Sequence, residues 1–115
     1  MIALDTNLLV YAHREDSPHH TKAARAVRSA VLSTSGCAIP WPCLHEFLAV
    51  VTHPRIYDPP TPISVALSAV ASLAGAPSVH FIAEGANHAQ ILADLLTSGT
   101  IFGPRVHDAR IAAIC

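Results

Sequence analysis

A chain of 115 residues, 51% hydrophobic and 13% charged, has material for one small domain with a core, and it is too apolar for a disordered segment. A formal net charge of −1 with histidine neutral provides no global basic field of the kind that marks a nucleic-acid partner. No apolar stretch approaches the ~18 uninterrupted residues of a membrane span, and no basic segment precedes Asp5, so neither a span nor a signal peptide is expected.

Ile2 to Leu4 reads as a first strand that runs into Asp5-Thr6-Asn7. Leu8 to His13 suits a short helix. Ser17-Pro18 has the cap-then-proline signature of a longer helix, predicted to run to about Ser33 and to stop before Ser35-Gly36. Cys37 to Ile39 is a short strand. Pro40-Trp41-Pro42 opens a helix reaching about Thr52, and four prolines make residues 54–62 a loop. Ile63 to Ala74 is helical, Val79 to Ile82 is a third strand, Glu84 to Thr97 is a helix, and Pro104 opens a last one. Strands alternating with helices predict an α/β fold, a short parallel sheet flanked by helices in three layers, within one domain over residues 1–115. The apolar run Ile111 to Cys115 has no terminating glycine and no charged last turn, so the pattern is expected to continue past it.

Three acids carry the chemistry. Asp5 stands at the carboxyl end of a rigid strand, where open α/β sheets bind ligands. In the next helix Trp41, Leu44, Phe47, Leu48 and Val51 form one apolar stripe, and Glu46 falls on nearly the opposite side, toward solvent or a cleft. Asp108 lies in the first turns of the last helix, where exposed backbone N–H groups and the helix dipole favour an acid. Each has an ordinary explanation: a turn or cap residue for Asp5, a solvated side chain for Glu46, helix-end stabilisation for Asp108. Together they suit a hard divalent cation, because Mg²⁺ takes one or two carboxylates and keeps several waters.

Ile2-Ala3-Leu4-Asp5-Thr6-Asn7, Trp41-Pro42-Cys43-Leu44-His45-Glu46-Phe47 and Pro104-Arg105-Val106-His107-Asp108-Ala109 resemble the successive signatures of PIN-domain ribonucleases, in particular the VapC-type toxins of bacterial toxin–antitoxin systems. The resemblance spans essentially the whole chain, including His53-Pro54-Arg55-Ile56-Tyr57. It implies a PIN-like α/β/α fold and a Mg²⁺- or Mn²⁺-dependent endoribonuclease acting on structured RNA. Asp5, Glu46 and Asp108 would be catalytic and metal-binding, and Asn7 would orient a carboxylate or water. A VapB-type antitoxin and a second copy of the chain would be its partners. The family pattern continues through another strand, beside the first one, and a fourth aspartate, neither of which occurs before Cys115. The resemblance therefore also implies a C-terminally incomplete domain, and an alternative: a remnant with weak or no catalysis that binds an antitoxin or a second protomer.

Other groupings are less telling. Cys37, Cys43, His45 and His53 do not have paired zinc-ligand spacing, and three cysteines without CxxC read as reduced thiols of a cytoplasmic protein. Lys22, Arg25 and Arg28 make a basic helix stripe that is more often a solvated face. If RNA binds, these residues with Arg14, Arg105 and Arg110 are the natural phosphate contacts. A strand ending in an acid also begins haloacid-dehalogenase-like phosphatases, but the position of their second aspartate holds Asn7, and the late lysine they need is missing, Lys22 being the only one.

Overall fold

The computed structural model describes residues 1–99 and 101–115. Its elements run β1 (Ile2–Ala3), α1 (Thr6–His13), α2 (His20–Leu32), β2 (Cys37–Pro40), α3 (Trp41–Val51), α4 (Ile63–Gly75), β3 (Val79–Ile82), α5 (His88–Ser98), a 3₁₀ turn (Gly103–Arg105) and α6 (Val106–Ile114). The chain divides into two compact units, Met1–Phe81 and Ile82–Cys115.

The first unit is built on a three-stranded sheet of order β1-β2-β3. β1 and β2 pair in parallel, Ile2 opposite Cys37 and Ala3 opposite Ala38, and the Leu4 N–H extends the ladder to the Ala38 carbonyl at 2.9 Å. All four residues of β2 are buried, as an unbroken apolar run in the middle of a parallel sheet should be. Entry into β2 depends on Gly36. Its φ of +76° is costly for any residue with a side chain, and a Cβ there would stand 2.8 Å from the Ser78 carbonyl oxygen. That carbonyl accepts the Cys37 N–H at 2.9 Å and so ties β2 to the start of β3.

Helices α1, α2, α3 and α4 supply the rest of this core. Leu9 and Val10 of α1, Ala23 and Ala30 of α2, Cys43, Leu44, Phe47 and Val51 of α3 and Ala66 of α4 are buried with Ile39 and Ala38 of the sheet. Each large apolar side chain sealed in this way contributes roughly 1.5–3 kcal/mol. α4 has an open apolar face. It carries no charged residue, yet Ile63, Val65 and Leu67 are about half exposed and Ala66 is its one buried residue. In the second unit α5 packs on α6, and Ala109 and Ala113 of α6 are buried.

Two helices start later than their sequences predict. Ser17 and Pro18 do not open α2, because residues 14–19 form hydrogen-bonded turns. The Ser17 N–H reaches the Arg14 carbonyl, and the Ser17 hydroxyl accepts the His19 N–H. α5 begins at His88 rather than Glu84; Gly85 lies in the irregular segment before it, where its carbonyl accepts the His88 N–H. The apolar stripe of α3 is also revised. Leu44, Phe47 and Val51 are buried as expected and Cys43 joins them, but Trp41 is 40% exposed.

Candidate active site

Asp5 is the N-cap of α1. Its backbone is extended, and its Oδ1 accepts the Leu8 N–H at 3.0 Å, so a strand that has just ended hands over directly to a helix. This bond fixes the carboxylate at the carboxyl end of β1 and leaves its second oxygen to face outward. Side chains alternate through the junction: Leu4 is buried, Asp5 exposed, Thr6 buried. The alternation turns the Thr6 hydroxyl inward, where it donates to Glu46 Oε2 at 3.0 Å. Glu46 sits on the exposed side of α3, opposite its buried residues Leu44 and Val51.

Thr6, next to Asp5 in the chain, thus ties the first turn of α1 to Glu46 of α3. The Cys43 thiol lies behind it, fully buried, against Thr6. Burial pushes that thiol's pKa up. Hydrogen bonding by Thr6 opposes the rise, and the negative charges of Asp5 and Glu46 add to it. The residue that holds Glu46 is Thr6 rather than Asn7, which is exposed on the first turn of α1.

Arg14 is committed elsewhere in this unit. Its Nε and Nη2 donate to the two carboxylate oxygens of Asp16 at 2.9 and 2.6 Å, and its Nη1 donates to the Pro59 carbonyl at 2.9 Å and to Thr61 Oγ1 at 3.3 Å. Its guanidinium lies 4.3 Å from the centre of the Tyr57 ring. The pairing holds the Asp16 carboxyl below its ordinary range and raises Arg14 further. The side chain expected to meet phosphate instead ties the proline-rich loop to the end of α1. Thr61, buried beneath it, accepts from Arg14 and is hydrogen-bonded to His13 Nε2 at 3.1 Å.

In the second unit Asp108 occupies the first turn of α6 and lines a cavity of about 230 Å³ together with Arg105, Leu95, Ile101, Ala109 and Ala112. Arg110 is engaged by Glu84, its Nε and Nη2 donating to Oε1 at 3.0 and 2.8 Å, and this holds the Glu84 carboxyl below its usual range. Among the described residues no group of three or more His, Cys, Asp or Glu side chains stands close enough to hold a metal ion. The zinc grouping stays unassembled. Cys37 and Cys43 are buried with raised thiol pKa values, which opposes the thiolate that zinc needs, while His45 stacks on Trp41 and His53 accepts the Arg55 N–H.

No protein-family model matches the chain. It is, however, 31% identical over 114 residues to ribonuclease VapC37 of Mycobacterium tuberculosis, covering 99% of this chain and 79% of that protein. It is 30% identical over 113 residues to ribonuclease VapC43 of the same organism, covering 98% of this chain and 77% of the relative. Its fold is similar to the crystal structure of Mycobacterium tuberculosis VapC20, a sarcin–ricin loop cleaving toxin, with a TM-score of 0.71 over 99% of this chain and 80% of the other at 15% identity. A strand that delivers its acid into a helix cap, a second acid bonded by the threonine that follows the first, and these relatives agree: the chain belongs to the VapC family of PIN-domain ribonucleases.

Proposed function

We propose that the chain is a Mg²⁺- or Mn²⁺-dependent endoribonuclease that cuts structured RNA as the toxin of a toxin–antitoxin pair. The observation that carries this reading is the junction of Asp5, Thr6 and Glu46, in a chain of the VapC family. The donor set fits a hard cation. Each of the two carboxylates spends one oxygen on a hydrogen bond within the chain and has a second to offer, and magnesium needs only one or two carboxylates besides its waters. Asp5 and Glu46 would hold the ion, with Asp108 proposed as a third ligand. Such an ion polarises a phosphodiester and makes a bound water nucleophilic near neutral pH.

The rest of the work falls to the chain. The cap bond of Asp5 and the hydroxyl of Thr6 fix two carboxylates before substrate arrives, so little reorganisation remains for the reaction. Arg14, Arg105 and Arg110 are the proposed phosphate contacts, of which Arg14 also bonds the proline-rich loop and Arg110 bonds Glu84. Asn7, exposed beside Asp5, would orient a water. A VapB-type antitoxin and a second protomer are the proposed partners, and the charge-free, half-exposed face of α4 supports protein association. No described helix is long and apolar enough to cross a membrane, and free thiols at Cys37, Cys43 and Cys115 suit the reducing cytoplasm proposed here.

A panel of structured RNA hairpins, incubated with the chain with and without Mg²⁺ or Mn²⁺, tests the reading. Cutting that requires the metal, stops on chelation and is lost in Asp5→Asn and Asp108→Asn supports it. No cutting under any condition favours the second reading, a binding remnant. The α4 surface and the lack of a three-ligand cluster among the described residues speak for that alternative.

A further inference from the structure

We propose that Trp41 is a base-stacking residue: its exposed indole receives an unpaired base of the RNA that flanks the phosphate handled at Glu46. The inference rests on the nuclease reading and adds to it a determinant of RNA recognition.

Trp41 is the first residue of α3, directly after the buried strand β2, and its backbone is held between Pro40, the N-cap, and Pro42 in the first turn. The side chain therefore projects from a rigid corner at the carboxyl end of the sheet. Its indole meets Phe81 in a T-shaped contact with ring centres 5.2 Å apart, and His45 one turn along at 5.9 Å, tilted by 38°. Two aromatic neighbours set its orientation without covering it, and 40% of its surface remains open. Glu46, five residues on, is exposed as well, turned about 140° around the helix axis from Trp41. Trp41, His45, Glu46 and Ala49 are the exposed residues of the helix, while Cys43, Leu44, Phe47 and Val51 are buried. Glu46 lies ~7.5 Å further along the axis, with His45 and the small Ala49 between them in angle.

The charge balance gives this aromatic face its importance. The chain has seven lysines and arginines and a net charge of −1, so phosphate contacts alone offer little affinity. Arg14 and Arg110 are already paired with Asp16 and Glu84, which reduces that supply further. Stacking needs no cation and accepts any base, and unpaired bases in loops are where proteins read structured RNA.

Trp41 is the only tryptophan, so its fluorescence reports on this site alone. The chain carrying Asp5→Asn, which should bind without cutting, is titrated with a hairpin RNA whose loop is single-stranded, and binding is followed independently by retention of labelled RNA. Tryptophan emission should be quenched in step with binding, and quenching should be lost when the loop nucleotide beside the cut site is abasic. In the otherwise unmodified chain, Trp41→Ala should raise KM roughly 5- to 100-fold with kcat little changed, and Trp41→Phe should recover most of the loss. RNA that binds and is cut without quenching overturns the proposal. So does a Trp41→Ala effect confined to kcat or to thermal stability, or an emission change that follows protein concentration without RNA, which would mean a second copy covers the indole. If RNA is neither bound nor cut, the nuclease reading itself fails and the stacking role falls with it.

Discussion

Thr6→Val removes the hydroxyl that holds Glu46 at the candidate site, together with its hydrogen bond to the buried Cys43 thiol. The substitution keeps the β-branched shape at a position only 8% exposed and removes the hydroxyl that donates to Glu46 Oε2 at 3.0 Å. A hydrogen bond to a charged group contributes about 1.5–3 kcal/mol. Glu46 is exposed and can take a water in exchange, so the lower end applies, about 1.5 kcal/mol. If that energy holds Glu46 in its productive position, its loss corresponds to about a tenfold fall in RNA cleavage at saturating metal. The half-saturating Mg²⁺ concentration should rise as well, because a carboxylate free to rotate is a poorer ligand. Thermal unfolding should change little, the methyl of valine being well suited to a buried site. Thr6→Ser restores a hydroxyl and should restore most activity. Cleavage by Thr6→Val at the full rate would refute the positioning role, and a Ser variant as impaired as Val would assign the effect to packing of the methyl group instead.

Asp5 has two separable duties. Asp5→Asn keeps a good helix cap and should leave stability to denaturant within about 0.5 kcal/mol while abolishing cutting, whereas Asp5→Ala should also lose about 1 kcal/mol of stability. His13 should make stability fall on mild acidification. Burial chiefly, and then the neighbouring Arg14 charge, lower its pKa in the folded chain, so the unfolded chain takes up the proton more readily. Its contribution is whole above the unfolded value of about 6.5 and drains away as the pH drops below it. Unfolding midpoints measured across that range should decline for the parent chain and decline less for His13→Gln; equal slopes for the two would discount the His13–Thr61 contact.

Much of the fold was legible because its signals are local. The unbroken apolar run of β2, the proline-rich segment before α4 and the bounds of β3 need only neighbouring residues to be read, and the structure agrees with them. The starts of α2 and α5 were harder. Ser17-Pro18 is good helix-start chemistry, but the same serine can serve a turn, and the contacts around Arg14 chose the turn. At the candidate site the acids Asp5 and Glu46 could be named from motif and helical spacing, whereas Thr6, the residue that bonds Glu46, could not. Its partner is forty residues away.

By itself, then, the sequence determined the order of strands and helices, the family, and the presence of an acid at the end of β1 and on the open side of α3. Packing alone decided that Thr6 bonds Glu46, that Arg14 bonds the loop at Pro59, and that Trp41 keeps an open face instead of joining the core. The physical reason is one of range. Periodicity, caps and turn chemistry act over a few residues and are written next to each other. A side chain's hydrogen-bond partner and its exposure depend on which distant element the folded chain lays against it.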